Sequence, residues 1–412
     1  MEMNPEYRVG IFCPWYFLDT IPSLCAVIEF LAQYGYQVEV FVPVSPLFEL
    51  PTFDKEHIRV HSFGQGNIHR LISSSYLHRA MVLLQPLNRF FTKLPFQVLE
   101  PHSTVVRQHH REIAYRCVIG VDPAGLEIAG RFSEMLGVPL LYWSLELLLS
   151  SELTNYYQRR VKKKEIALSH SASAIVIQDE ERAKLLAKDN NLPMSKFVFV
   201  PNAPLGPAGR YPSRYWHQQF GLGEDRRIVL HSGSLGDWTG IADIVSSVKE
   251  WPEDRWVLVA HTRFYSAQDS YLRKLRSTAD SQRVFFSTQP VTRTKYPELV
   301  AGADVGVALY FPFPGSLYTQ ENIHTIGLSS GKIAHYLRAG LPIIVNKWPS
   351  ISQLVKREGC GIVVDKLDEV GDALIEIERH YKEYSNNACR IFEKYFDPSM
   401  GFQHLIRYIG EL

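Results

Sequence analysis

Ser329-Ser330-Gly331-Lys332 stands just ahead of an apolar stripe, Ile333, Ala334, Tyr336 and Leu337, at helical spacing. Ser329 and Ser330 are N-cap residues by type. Gly340 is placed to end the helix, with Pro342 behind it, and 341–345 is a short apolar run suited to a buried parallel strand. Lys332 falls in the first turn, where the helix dipole disfavours a cation unless an anion shares the helix end. The N–H groups of Ser330, Gly331 and Lys332 would face that anion, and Gly331 would let it approach closely. His335, three residues on, lies on the same side. The chemistry so spelled is the binding of a phosphate or diphosphate. A capped surface helix with a solvated lysine is the plainer alternative, and spacing alone leaves both open.

A second group of polar residues follows predicted strands. Asp122 comes directly after the strand 116–121 and before Pro123. Asp followed by Pro is a common N-cap and N1 pair, and a carboxylate at a strand end is also placed to orient or deprotonate an acceptor hydroxyl. Glu146 follows the strand 138–143, and Trp15-Tyr16-Phe17 follows the strand 7–12. These aromatics suit a sugar face or a packing contact equally. In the second half, Gly233 and Ser234 follow the strand 227–231, Arg263 follows 256–260, and Gln289 follows 284–287.

The elements that must position these residues alternate strand and helix twice over. Strands are predicted at 7–12, 37–42, 58–61, 116–121, 138–143, 174–178 and 197–200, with helices between them. A Pro/Gly-rich stretch at 201–212 reads as a linker. The alternation then restarts, with strands at 227–231, 256–260, 284–287, 303–309, 341–345 and 361–364. Each β-α-β step implies a parallel sheet with right-handed crossovers, and ligands in such sheets sit beyond the carboxyl ends of the strands. The fold class is α/β with two Rossmann-like domains. The boundaries expected are 1–205, 206–385, and C-terminal helices at 386–412 crossing back to the first domain. A basic-aromatic insertion is expected over about 62–112. Acidic residues are absent from 58–99, so this segment suits a membrane interface or a helical insertion with its basic residues in water. The run Arg159-Arg160-Val161-Lys162-Lys163-Lys164 reads mainly as a solvated face.

Composition narrows the function classes. The chain has 412 residues, a formal net charge of +1 and 21% charged residues, so bulk electrostatic binding of nucleic acid is not expected. Five scattered cysteines without a C-x-x-C pair suit free thiols in a reducing compartment. No basic segment followed by an apolar run opens the chain, and no apolar run reaches the ~20 residues that span a bilayer. A cytoplasmic location, with peripheral contact at the inner face of the membrane as an option, is the expectation. The first strand lacks G-x-G-x-x-G, so a dinucleotide cofactor is not expected.

Three stretches carry a resemblance to a known family: Val118-Ile119-Gly120-Val121-Asp122; Ala172-Ser173-Ala174-Ile175-Val176-Ile177-Gln178 leading to Val200-Pro201-Asn202; and 329–342. With the two β/α halves they resemble GT-B glycosyltransferases, and most of all the large retaining family four. The resemblance covers nearly the whole chain. It implies GT-B architecture, with parallel sheets facing across a cleft. It implies an enzyme that moves a sugar from a nucleotide-diphosphate-sugar to a glycan or lipid-linked glycan, as in bacterial polysaccharide biosynthesis. On it, Gly233, Ser234, Arg263, Gln289, Ser329, Ser330, Gly331, Lys332 and His335 bind the donor. Asp122 is catalytic, and Trp15, Tyr16 and Glu146 meet the acceptor. No cofactor and no metal are implied, and no Asp-x-Asp occurs. Departures are equally specific. Ser234 and Thr239 stand where the family has basic residues, and His335 stands where it has a ribose-binding glutamate. A catalytically weak GT-B protein that binds a sugar nucleotide or a partner enzyme is therefore the alternative.

Overall fold

The computed structural model describes residues 7–43, 50–63, 94–252, 255–263, 269–313 and 320–412. The chain forms two compact units, Met1–Val200 with Ser399–Leu412, and Pro201–Pro398.

Unit 1 holds a seven-stranded sheet in the order β3-β2-β1-β4-β5-β6-β7. Its strands are β1 (Arg8–Phe12), β2 (Gln37–Pro43), β3 (Ile58–Phe63), β4 (Tyr115–Val121), β5 (Leu140–Trp143), β6 (Ala174–Ile177) and β7 (Phe197–Phe199). Every pairing is parallel. Near-continuous apolar runs such as Val118–Val121 suit strands covered by helices on both faces. Phe12, Phe41 and Phe132 fill the centre of one layer, with the Phe12 ring 4.7 Å from each of the other two.

The order reverses between β1 and β4, which makes that edge the switch point where open α/β sheets bind ligands. Close packing is needed there. A Cβ on Gly125, in the helix Asp122–Leu136, would stand 2.3 Å from the Phe12 carbonyl oxygen. Only a glycine lets that helix start against the end of β1.

Unit 2 repeats the plan with six parallel strands in the order β10-β9-β8-β11-β12-β13. They are β8 (Arg227–Ser232), β9 (Trp256–His261), β10 (Val284–Ser287), β11 (Val305–Ala308), β12 (Ile343–Asn346) and β13 (Gly361–Val364). Its switch point lies between β8 and β11. The helix Gly331–Arg338 crosses from β11 to β12 and buries Ile333, Ala334, Tyr336 and Leu337, the stripe read from the sequence.

Three expectations are corrected. Residues 386–398 do not return to unit 1. Ala388, Ile391, Phe392 and Phe396 are buried in the core of unit 2, and only the helix Ser399–Glu411 joins unit 1, where Phe402 meets Phe30 at 5.3 Å. The basic run 159–164 is not simply a solvated face. Lys162 is buried, 2.9 Å from Glu165 and 2.6 Å from Asp189, and Lys164 pairs with Glu127. A buried ammonium is tolerated when carboxylates replace its water. Asp122 does not cap its helix, as described below. Of the basic-aromatic insertion, residues 64–93 lie outside the described residues; its end is the helix Leu94–Glu112. Among the described residues no helix is long and apolar enough to cross a membrane.

Candidate active site

Unit 1 brings polar residues together at its switch point. β1 ends beside β4, with Phe12 opposite Gly120, and β4 ends beside β5, with Val121 opposite Trp143. The loops that follow therefore converge. Asp122 Oδ1 accepts the backbone N–H groups of Leu145 at 2.8 Å and Glu146 at 3.2 Å. Its Oδ2 accepts the indole N–H of Trp15 at 2.7 Å. The helix it opens has no side-chain cap; the carboxylate turns to its neighbouring loops instead. Asp122 also has φ +51, a left-handed conformation that costs a non-glycine residue about 1–2 kcal/mol. Burial pushes its carboxyl up, and the Trp15 and backbone hydrogen bonds oppose the shift.

Further hydrogen bonds fix the Ser144–Glu146 loop. Gln178 donates to the Ser144 carbonyl at 2.7 Å, and Arg182, wholly buried, donates to the Leu145 carbonyl at 2.8 Å. The Arg182 guanidinium lies 3.9 Å from Glu146 Oε2. The Glu146 side chain keeps 39% of its surface exposed, yet loss of solvation around its head pushes its carboxyl to about 7, with Arg182 opposing and Asp122 adding to the shift. Tyr16 is exposed, and Trp15 stacks on Phe17 at 5.4 Å. Three of the four residues expected here, Trp15, Asp122 and Glu146, thus share one hydrogen-bonded cluster.

Unit 2 gathers a different set. Ser330 caps the helix Gly331–Arg338, its Oγ accepting the Ile333 N–H at 3.2 Å. The Ser330 N–H is not available to an anion, because it donates to the Ile326 carbonyl at 3.0 Å. Among the described residues the N–H groups of Gly331 and Lys332 have no hydrogen-bond partner. Lys332 Nζ is shielded from solvent, also without a hydrogen-bond partner among the described residues. It sits 5.5 Å from the Tyr310 ring centre, a favourable but weak substitute for water. Burial draws this lysine down to about 7.

Gly233 has φ +137, and a Cβ there would stand 3.3 Å from Lys332 Cε, so the loop after β8 runs directly past the lysine. The Ser234 carbonyl is paired with His231 Nε2 at 3.1 Å. Ser329 holds the turn before the helix through its carbonyl, which accepts from Asn202 at 3.1 Å. His335 packs edge-on against Tyr296 at 4.7 Å, and the Tyr296 hydroxyl meets Ser232 Oγ at 2.8 Å. Burial lowers the three imidazoles: His261 to about 4 with Arg263 adding, His335 to about 3 with Arg338 adding, and His231 well below its usual value with Lys332 adding. They are therefore neutral near pH 7. None of the groups brought together here is acidic, so the set favours an anion.

Arg263 lies close enough to act on both His261 and Tyr296. Gln289 stands exposed beyond β10 and makes no hydrogen bond among the described residues; nothing draws it into the set. Sequence reasoning missed Tyr310, Tyr296 and His231. Tyr310 follows β11 at the switch point and was findable by that rule. It also missed Arg182, whose place in a helix of evenly mixed charge gave no hint of burial.

The comparisons agree with this architecture. Residues 325–396 match the family model described as "Glucosyltransferase 3-like, C-terminal domain", which spans the Lys332 helix. No curated protein matches the chain by sequence. Among solved structures, sucrose-phosphate synthase from Thermosynechococcus elongatus is similar with a TM-score of 0.69 at 14% identity, over 98% of each chain. HepE of Anabaena, solved with UDP-glucose, has a TM-score of 0.67 at 16% identity, over 98% of this chain and 100% of that one. WaaG, a glycosyltransferase involved in lipopolysaccharide biosynthesis, has a TM-score of 0.57 at 13% identity, over 97% and 98%. Two Rossmann-like units, each with its polar residues at the switch point, and these whole-chain likenesses identify the fold as that of the GT-B glycosyltransferases.

Proposed function

We propose that the protein is a glycosyltransferase that moves a sugar from a nucleoside diphosphate donor to a glycan or lipid-linked glycan, in bacterial polysaccharide or glycoconjugate synthesis. The observation that carries the reading is Lys332. A shielded ammonium without a hydrogen-bond partner among the described residues, beside two open N–H groups at a helix N-terminus, suits an anion. Burying it unpaired is costly, and a diphosphate would supply the missing partner. The Gly233 turn leaves room beside it, and Arg263 adds a second cation.

In this reading unit 2 binds the donor through Gly233, Ser234, Arg263, Ser329, Ser330, Gly331, Lys332 and His335. Unit 1 takes the acceptor at Trp15, Tyr16, Asp122 and Glu146. Fixed cations and N–H dipoles stabilise the charge that develops on the departing diphosphate. They do the work a divalent ion would do, so chelator should leave activity intact. The retaining course comes with the family-four likeness. The site of action would be the cytoplasm, at the inner face of the membrane for a lipid-linked acceptor.

A second reading has its own support. His335 packs on Tyr296 where a carboxylate would meet a ribose, which favours a protein that binds the sugar nucleotide with little turnover. A thermal-shift series with nucleoside diphosphates and their sugar conjugates tests both. A ligand at 100 times its dissociation constant stabilises by about 2.7 kcal/mol. A shift with one nucleotide, lost in Lys332→Ala, is expected. No shift with any nucleotide would refute the donor site.

A further inference from the structure

We propose that unit 1 carries a site for one divalent transition-metal ion, Zn²⁺ by preference, built from Glu39 Oε1, His61 Nε2 and His109 Nδ1. The site concerns unit 1 alone and does not rest on the glycosyltransferase reading.

Three elements bring the ligands together. Glu39 is on β2 and His61 on β3. Both face the same side of the sheet, since Glu39 is two residues from Phe41 and Phe41 is paired with His61. His109 meets that face from the last turn of the helix Leu94–Glu112. The three ligand atoms all lie within 4.8 Å of one another. Glu39 Oε1 is 2.8 Å from His109 Nδ1 and 3.7 Å from His61 Nε2. Zinc bonds of about 2.0–2.2 Å at tetrahedral angles set ligand atoms about 3.4 Å apart, within the range spanned here. Two imidazoles and a carboxylate, with water in the fourth position, form a ligand set that zinc accepts. Glu39 is 1% exposed, but the His61 and His109 side chains keep 19% and 16% of their surface, which gives an ion a way in past the rings.

The orientation of the groups favours an ion over a shared proton. Glu39 Oε1 and His109 Nδ1 are close enough for a hydrogen bond, yet they do not form one, and among the described residues neither atom has another. The ligands are held from behind, as metal ligands usually are. Glu39 Oε2 accepts the Tyr115 hydroxyl, which leaves Oε1 to face the histidines, and His61 stacks on Phe41 at 4.8 Å. Arg8 is an opposing charge, its Nε 3.5 Å from Glu39 Oε1. Its other nitrogens are engaged elsewhere: Nη1 donates to the carbonyls of His109 and Ile113, and Nη2 to Gln37 Oε1 at 2.7 Å. It thereby fixes the backbone that carries His109. With Arg8 beside Glu39 the cluster has almost no net charge to offer a cation. Ca²⁺ and Mg²⁺, which depend on oxygen ligands, are disfavoured, whereas zinc gains from the imidazole nitrogens. The edge strand β3 and the helix Leu94–Glu112 would both be tied to β2 by the ion. Glu39 is paired with Gly10, and Phe12 and Phe41 follow towards the carboxyl edge, so the ion would stabilise unit 1 without entering the site beyond the strands.

The test uses the full chain, stripped with chelator and dialysed. Calorimetry with Zn²⁺ alone should show one equivalent bound, and saturating Zn²⁺ should raise the melting temperature by several degrees. Co²⁺ should give the intense visible absorption of a four-coordinate site, and Zn²⁺ should displace it. Ca²⁺ and Mg²⁺ should leave both readouts unmoved. Groups that merely support a ligand are worth about 10- to 100-fold in metal affinity, so His61→Gln and His109→Gln should each weaken Zn²⁺ by at least about 100-fold. Both side chains are partly exposed, and both variants should melt where the stripped wild type does. The exposed His404→Ala should bind Zn²⁺ as the wild type does.

No Zn²⁺ bound by the stripped wild type would overturn the site and leave a buried network of Arg8, Glu39 and the two histidines. Zn²⁺ bound equally well by His61→Gln and His109→Gln would also overturn it, since the ion would then sit elsewhere on the chain. Either result would leave the transferase reading untouched, because that reading stands on unit 2 and its nucleotide screen.

Discussion

The two units share a topology and place their polar residues at the same kind of position, yet they treat a buried charge in opposite ways. In unit 1 the Asp122 carboxylate is satisfied by three donors from two loops. In unit 2, among the described residues, the Lys332 ammonium finds an aromatic face and no hydrogen-bond partner. A satisfied buried charge organises its surroundings, because removing it strands its partners. An unsatisfied one weakens the fold where it stands and gains from whatever ligand neutralises it. Function and stability should therefore separate between the units.

The largest expected effect is at Lys332. Lys332→Ala should lower turnover about 100- to 1,000-fold, the scale of losing one preorganised donor to a developing negative charge. The same substitution should not lower the melting temperature. The lysine's folded value, about 7, lies below its unfolded 10.5, so the unfolded chain holds more protons between those values, and stability rises with pH across that window. Lys332→Met should accordingly be more stable than the wild type at pH 6, with the advantage fading towards pH 10. A lower melting temperature at pH 6 would show that the lysine has a partner in the free protein. The same linkage makes donor binding take up a proton. The Kd of the nucleoside diphosphate that shifts the melting temperature should weaken above pH 7, by up to about tenfold per unit while the bound lysine stays protonated, as calorimetry across pH 6–9 would show.

Asp122→Ala should do the reverse of Lys332→Met. Loss of charge-assisted hydrogen bonds and the stranding of buried donors should cost about 2–3 kcal/mol. That is a fall of several degrees in a domain of this size, while nucleoside diphosphate binding should persist. Loss of that binding at unchanged melting would break the comparison. Gly233→Ala comes next. At φ +137, with Lys332 Cε 3.3 Å from the new methyl, it should cost about 1–2 kcal/mol and weaken nucleoside diphosphate binding, both readable in one thermal-shift titration. Smallest is Ser330→Ala, which removes the cap of the Lys332 helix for about 1 kcal/mol. Denaturant unfolding would measure it.

Much of this was legible in the residues. The strands at 284–287 and 361–364 fall where the pattern placed them, because apolar runs bounded by turn residues leave little choice. Ser330, Gly340 and the stripe between them specified their helix completely, since caps and periodicity are local. Asp122 was legible as a residue with two readings, cap and cleft carboxylate, and the cap reading fails. Its type and its following proline speak only for the nearest turn. The donors that claim it lie 23 and 24 residues on in the chain and arrive there through strand register. The basic run 159–164 was misread for the same reason: the carboxylate of Asp189 that buries Lys162 comes from the next helix.

What the sequence determined by itself was the alternation of strand and helix, the doubled plan and the capped helix with its lysine. These follow from period, cap chemistry and composition, all properties of neighbouring residues. The tertiary structure alone decided which charges are satisfied. Only the reversal of strand order brings Trp15 and Asp122 together, burial draws Lys332 to about 7, lost solvation with Asp122 adding and Arg182 opposing sets Glu146 there, and the buried Arg182 carries no mark in the sequence. A charge's cost depends on what surrounds it in space, and that is fixed when the sheet closes over it.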